Sequence, residues 1–258
     1  MSTAKLIWIT PEAESQIVYC ARVSNPKSQE EGKSPERLIR YLAKHKHWSP
    51  FEMASMCVEI NTTRDIAAQI LRHRSFSFQE FSQRYSTTSY LGHALMPELR
   101  FQDNANKQNS IDDDFGVLAD KFDRRIKELF DQAHGLYDDM LVSGVAKECA
   151  RKVLPLNTPT RLLMVGTIRS WTHYLQIRTG VETQREHRLI ALDIQDVFKK
   201  HLPQVYEALL CPESISLSNR LEKSLPLSPK EPTTGSKLKE SFAKLGRLLG
   251  QYREVIKP

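Results

Sequence analysis

Arg72, His73 and Arg74 place an imidazole between two fixed positive charges. Ser82 and Arg84 follow at close range, with Gln79 and Glu80 between the triplet and Ser82. The whole stretch reads Arg-His-Arg-Ser-Phe-Ser-Phe-Gln-Glu-Phe-Ser-Gln-Arg-Tyr-Ser over residues 72–86. A guanidinium grips phosphate or carboxylate through a planar fork and keeps its charge, so these residues are a dense supply of donors for an anion. In an arbitrary chain such a triplet is commonly a solvated basic face. Here Ile66, Ala67, Ala68, Ile70 and Leu71 precede it and tie it to a core.

Six arginines, Arg72, Arg74, Arg84, Arg151, Arg169 and Arg178, fall in segments with regular apolar spacing, where solubility does not require them. The chain has only 10 glycines, and neither a GxGxxG run nor a GxxxxGK followed by Ser or Thr. A phosphate-bearing ligand would therefore be held by side chains rather than by a glycine-rich backbone cradle. Covalent catalysis has weaker support, because Ser82 has no base-and-acid constellation and His73 alone does not make a triad. Cys20, Cys57, Cys149 and Cys211 show no CxxC and no Cys/His ligand spacing, so they read as free thiols of a reducing compartment. Cys149, two residues before Arg151, reads either as packing or as a neighbour of a site. His45 and His47 lack a third ligand of suitable spacing, and no metal is expected. Residue types alone thus describe a soluble enzyme or binder for an anionic, phosphorylated small ligand.

A chain of 258 residues with 40% apolar content can bury one large core or two small ones. No apolar run approaches the ~18 residues of a membrane span. The short apolar run at 5–9 is stopped by Thr10-Pro11-Glu12 and reads as a first strand rather than a leader. The expected location is the cytoplasm. A net charge of +6 would suit nucleic acid. Residues 220–258, however, hold nine Lys/Arg against four Asp/Glu, which leaves about +1 for the first 219. The basicity belongs to a Ser/Pro/Lys-rich extension over 216–258, and residues 1–215 form the main domain.

Elements must position these side chains. Residues 5–9 read as a strand, 12–24 as a short helix and 27–33 as a polar loop. Ser34-Pro35-Glu36 is a helix start, with Ser34 as its cap. Residues 53–62 alternate Met56, Val58 and Ile60 against Cys57 and Glu59, the period of a half-buried strand. Thr63 then caps a helix over 64–74, which puts Gln69, Arg72 and His73 on one face and the Arg-His-Arg at a helix C-terminus. Strands are expected at 85–91 and 95–101 and an exposed loop at 104–114. Long helical spacing covers 115–149, with Phe122, Phe130 and Tyr137 as core. Residues 160–176 are strongly apolar and predict a buried helix whose Arg169 and His173, at i and i+4, need a partner for charge. Residues 186–201 and 236–252 read as further helices, the last one basic. Strands and helices cluster rather than alternate, which favours an α+β fold.

Taken together in order, these residues resemble the flavin-dependent thymidylate synthases. The signature is Arg72-His73-Arg74, seven residues, then Ser82, with Glu80 inside it and Arg84-Tyr85-Ser86 after it. Ala21-Arg22-Val23-Ser24 resembles the family's early serine motif, and Ser49-Pro50-Phe51-Glu52 its flavin-side turn. Gln69, Arg151 with Leu154-Pro155-Leu156-Asn157, Arg169-Ser170, Arg178, and Gln184 with Glu186 complete the set. The resemblance covers residues 5–210 and leaves the extension outside.

The resemblance implies an α+β fold with an antiparallel or mixed sheet surrounded by helices, assembled as a homotetramer with sites shared between subunits. It implies conversion of dUMP to dTMP, with methylenetetrahydrofolate as one-carbon donor and FAD, recharged by NADPH, as hydride source. By position, Ser49, Arg72, His73, Arg74, Glu80, Thr167, Arg169 and His173 would line FAD, with Ser24 and Glu52 added. Gln69, Arg72, Glu80, Ser82, Gln83, Arg84, Arg151 and Arg178 would hold dUMP. Arg178 would be the catalytic residue, its guanidinium stabilising negative charge on the uracil at N3 and O4 so that C5 becomes nucleophilic.

Met53, Thr167, His173 and Glu182 depart from the commoner residues at their positions, and bear on individual flavin contacts. Two rivals compete. The folate-oxidising thymidylate synthase needs a nucleophilic cysteine beside a Leu-Pro turn, where this chain has Leu156-Asn157. A single-stranded nucleic-acid binder would use Phe76, Phe78, Phe81 and Tyr85 as stacking platforms among the basic residues. The near-neutral main domain argues against it.

Overall fold

The computed structural model describes residues 2–30 and 34–211. In chain order its elements are β1 (Thr3–Ile9), α1 (Ala13–Ala21), α2 (Pro26–Glu30), α3 (Pro35–Lys44), β2 (Ser55–Thr63), α4 (Arg64–Ile70) and β3 (Ser77–Glu80). There follow β4 (Arg100–Gln102), β5 (Ser110–Asp112), α5 (Val117–Val142), α6 (Lys147–Ala150), β6 (Pro159–Thr167), α7 (Ile168–Arg178), α8 (Arg185–His201) and α9 (Pro203–Leu209). Four strands form an antiparallel sheet in the order β1-β2-β6-β3, and β4 and β5 form a separate hairpin. The α+β reading holds.

The central pair β2 and β6 sets the architecture. Ser55 stands opposite Thr167 and Thr63 opposite Pro159, so the two strands run their full length against each other. Each strand passes directly into a helix, α4 after Thr63 and α7 after Thr167. The first residue of each helix is tied to the neighbouring chain: Arg64 N–H donates to the Thr158 carbonyl at 3.0 Å, and Ile168 N–H to the Ala54 carbonyl at 2.9 Å. The helices therefore leave opposite ends of the sheet, and their C-terminal ends meet. Met56, Val58, Ile60, Leu162 and Met164 from the strands pack with Trp171, Leu175, Ile190, Ile194 and Phe198 from α7 and α8 in one buried cluster. Trp171 also donates its indole N–H to the Met56 carbonyl at 3.0 Å, which removes the cost of burying that polar atom.

Several expectations change. Residues 160–167 are the central strand β6, not the first half of a buried helix, and only 168–178 are helical. The helix after Thr63 ends at Ile70, so Arg72, His73 and Arg74 lie in the turn beyond it. Ser34 and Thr63 stand at N-cap positions without a side-chain cap bond; the Thr63 hydroxyl donates to Asp65 instead. Residues 27–30 of the expected 27–33 loop belong to α2 instead; residues 85–91 form turns and a short 3-10 helix (Thr88–Tyr90) rather than a strand. The 104–114 loop contributes β5. On α5 only His134 and Tyr137 are buried, while Leu129 and Leu136 are 61% and 51% exposed, so Phe122 and Phe130 are not core. The basic helix expected at 236–252 lies outside the described residues.

Candidate active site

The turn that carries Arg72, His73 and Arg74 is held by the aromatic ring that follows it. Phe76 lies edge-on to Trp171 at 4.8 Å between ring centres, and near Tyr174 at 6.0 Å. It can reach that place because β6 has a glycine beneath it: a Cβ added at Gly166 would stand 2.6 Å from Phe76 Cε1. Backbone bonds from His73 N–H to Ile70 O and from Phe76 N–H to His73 O close the turn at 3.1 and 3.3 Å. Arg72 and Arg74 are left exposed, and among the described residues neither makes an ion pair.

His73 faces inward. Its Nε2 accepts from Arg178 Nε at 3.0 Å, although the two residues are 105 apart in sequence. Tyr174 stands edge-on to the same imidazole at 4.9 Å. Burial, and then the neighbouring Arg178, His173 and Arg72, push the His73 pKa down to about 4. At neutral pH the ring is uncharged and serves as the acceptor that orients Arg178. The guanidinium keeps its two terminal amino groups for a ligand.

Beside this pair opens a cleft of about 420 Å³ lined by Trp48, Glu52, Ser75, Arg169, Ser170, Thr172, His173 and Gln176. Arg169 and His173 share one face of α7 as their spacing predicts, but that face is exposed rather than buried; Arg169 pairs there with Glu52. An indole, an imidazole, the Arg169–Glu52 ion pair and three hydroxyls together suit a planar aromatic group with polar edges.

A third group stands at the other end of β3. Ser77 pairs with Val165 there and Glu80 with Leu162, so the strand separates the Arg72–Arg74 turn from residues 82–86. Arg84 pairs with Glu148 of α6 at 3.1 Å, and Lys147 donates to the Tyr85 carbonyl at 2.8 Å. Arg151 follows α6 directly, Gln83 is buried, and Ser82 is exposed. This is a second patch of anion donors.

The remaining expected residues are placed as follows. Glu80 accepts from Arg64 at 2.7 Å and from Thr160 Oγ1 at 2.9 Å, which ties β3 to α4 and β6. Thr167 caps α7, accepting from Ser170 N–H at 3.2 Å. Ser49 is exposed at the start of the 3-10 turn Ser49–Glu52, and Ser24 is exposed beyond α1. Gln69 reaches Gln184 at 2.6 Å and His187 at 3.4 Å. Trp48, Ser75, Thr172 and Gln176 of the cleft were not singled out from sequence, nor were Tyr174 and His187. Ser75 adjoins the Arg-His-Arg and could have been found by adjacency, and Gln176 lies one turn beyond His173 and could have been found by helical spacing. Tyr174 and His187 read as part of an apolar face.

Fold and residue set meet in one family. Residues 5–204 match the family described as thymidylate synthase complementing protein, and the chain belongs to it. The flavin-dependent thymidylate synthase of Synechocystis sp. is 50% identical over 197 residues, which cover 76% of this chain and 89% of that one. A probable flavin-dependent thymidylate synthase of Paramecium bursaria Chlorella virus 1 is 46% identical over 218 residues, covering 80% and 98%. Among solved structures, the UMP/dUMP methylase PolB from Streptomyces cacaoi, bound with 5-Br dUMP, superposes with a TM-score of 0.70 at 27% identity, over 81% of this chain and 94% of that one.

Proposed function

We propose that this chain is a flavin-dependent thymidylate synthase, converting dUMP to dTMP with methylenetetrahydrofolate as one-carbon donor and FAD, reduced by NADPH, as hydride source. One observation carries the reading: the Arg72–Arg74 turn and the end of α7 meet through the 3.0 Å bond from Arg178 to His73, in a chain that is 50% identical over 197 residues to a named flavin-dependent thymidylate synthase.

Glu52, Arg169 and His173, with Trp48 and the hydroxyls of Ser75 and Ser170, fit FAD by their chemistry. Arg72, His73, Arg74, Ser24, Ser49, Glu80 and Thr167 are assigned to the same cofactor. When bound, FAD supplies the hydride chemistry that no side chain provides. Gln69, Arg72, Glu80, Ser82, Gln83, Arg84 and Arg151 are assigned to dUMP, with arginines meeting its phosphate. Arg178 acts on the uracil: an oriented, permanently charged guanidinium stabilises negative charge at N3 and O4 in proportion to how little it must reorganise. Its bond to a neutral imidazole supplies that orientation.

The two anion-binding groups stand at opposite ends of β3 in one chain, which fits a homotetramer whose sites draw residues from neighbouring copies. The exposed leucines of α5 fit the same assembly. Residues 1–215 would be the catalytic domain and 216–258 a dispensable extension. Cys20, Cys57 and Cys149 are free thiols. Among the described residues, no helix is long and apolar enough to cross a membrane. The nucleic-acid reading loses half of its platform, because Phe76 and Phe78 pack against the core, while Phe81 is half-buried and Tyr85 stays exposed.

The test is optical. Purified protein should carry yellow flavin absorbance that bleaches on anaerobic addition of NADPH. A colourless protein that cannot be reconstituted with FAD would overturn the proposal.

A further inference from the structure

Beneath the Arg178–His73 pair lie the buried side chains of Tyr174 and His187, to which neither ligand is assigned, and a polar chain runs outward from them through Gln69. His187, in the first turn of α8, is fully buried at 0% exposure. A buried imidazole costs free energy unless both ring nitrogens are partnered. Here Nε2 lies 3.0 Å from the Tyr174 hydroxyl and Nδ1 lies 3.4 Å from Gln69 Oε1. An amide oxygen only accepts, so Nδ1 is assigned the proton and Nε2 accepts from the Tyr174 O–H. Burial first, then Arg178 and His73, pushes the His187 pKa down to about 3, which keeps this donor–acceptor form throughout the neutral range.

Two branches leave His187. In one, the Gln69 amide oxygen accepts from His187 Nδ1–H and its amide N–H donates to Gln184 Oε1 at 2.6 Å. Gln184 in turn donates to Glu186 at 3.0 Å, and Arg100 grips Glu186 at 2.6 Å. The Gln69 amide is thus fixed at both ends, with one N–H and one lone pair to spare for a ligand. In the other branch, the Tyr174 ring stands edge-on to His73, which orients Arg178. Packing does not demand this arrangement, since replacing both partners of a buried hydrogen bond by apolar groups of similar shape is nearly neutral for stability.

We propose that His187 is a positioning residue for the nucleotide: through Gln69 on one side, and through Tyr174 and His73 to Arg178 on the other, it sets two groups of one binding site. The proposal rests on the assignment of Gln69 and Arg178 to dUMP made above.

The experiment measures dUMP affinity by calorimetry and the thermal midpoint on flavin-loaded, full-length protein. The proteins compared are wild type, Tyr174→Phe, His187→Gln and the double variant Tyr174→Phe/His187→Ile. The double variant is expected to melt near wild type yet bind dUMP about tenfold more weakly, the loss of one orienting hydrogen bond. His187→Gln keeps a donor and an acceptor, and should bind within about threefold of wild type. A double variant with both wild-type melting and wild-type dUMP affinity would overturn the proposal. If the double variant does not fold, Tyr174→Phe decides: affinity lowered severalfold supports positioning, and unchanged affinity refutes it. Wild type that fails to bind dUMP would remove the nucleotide reading itself, and the positioning role with it.

Discussion

Arg178 Nε donates to His73 Nε2 at 3.0 Å, joining the last residue of α7 to the turn after α4. The bond exists because α4 and α7 leave opposite ends of the β2/β6 pair and converge. It holds a charge in place with a neutral acceptor, which leaves the charge undiminished. If Arg178 acts on the substrate ring, Arg178→Ala should lower dTMP formation by about 10²–10³, as removal of an oriented donor does. Bound flavin should be retained, read from its absorbance per chain. Unchanged turnover would refute the role.

The neutral state of His73 has a consequence for stability. The ordinary imidazole value is 6.5 and the folded value is about 4. Between those values the unfolded chain binds a proton that the folded chain refuses, so stability rises with pH across the window. The contribution is complete above pH 6.5 and is lost as pH falls through about 4. Urea midpoints at about pH 7 and about pH 4.5 should therefore fall more for wild type than for His73→Gln. Equal falls in the two proteins would contradict the assignment.

Gly166 is needed for the approach of Phe76, which anchors the Arg-His-Arg turn. Gly166→Ala should cost about 1–3 kcal/mol by overpacking. Because the ring must move and take the turn with it, flavin occupancy should also drop. Thermal melting and flavin-to-protein ratio measure the two effects; a variant with wild-type occupancy would show that the turn does not depend on the anchor.

Truncation after Leu217 should leave turnover and flavin content within about twofold of wild type, since a segment so rich in Ser, Pro and Lys has a composition that adds little to a packed core. The family match ends at residue 204, and the buried core of the described residues reaches Leu210. Loss of flavin on truncation would assign the extension a part in the fold.

What the sequence made legible follows from which signals are local. Chemistry-bearing types and their spacing marked Arg72–Arg74, Arg169 with His173, and Arg178 without any knowledge of the fold. Strand β2 was legible because its alternation survives on one face. Strand β6 was not, because Leu163 and Val165 on its half-buried second face are also apolar, so its residue types lose the period that its burial keeps. Strand β3, with four residues, is too short to show a period at all. The helical spacing of α5 identified an apolar stripe but not what covers it, and in the chain alone Leu129 and Leu136 face solvent. Arg178 meeting His73, and Gln69 meeting His187, are products of topology, and no residue spacing encodes them.

The central claim is tested most directly by supplying the flavin-loaded protein with dUMP, methylenetetrahydrofolate and NADPH and measuring dTMP. The expected result is dTMP formed in multiple turnovers, with none when flavin or NADPH is withheld. Flavin-loaded protein that binds dUMP and oxidises NADPH but forms no dTMP would contradict the account.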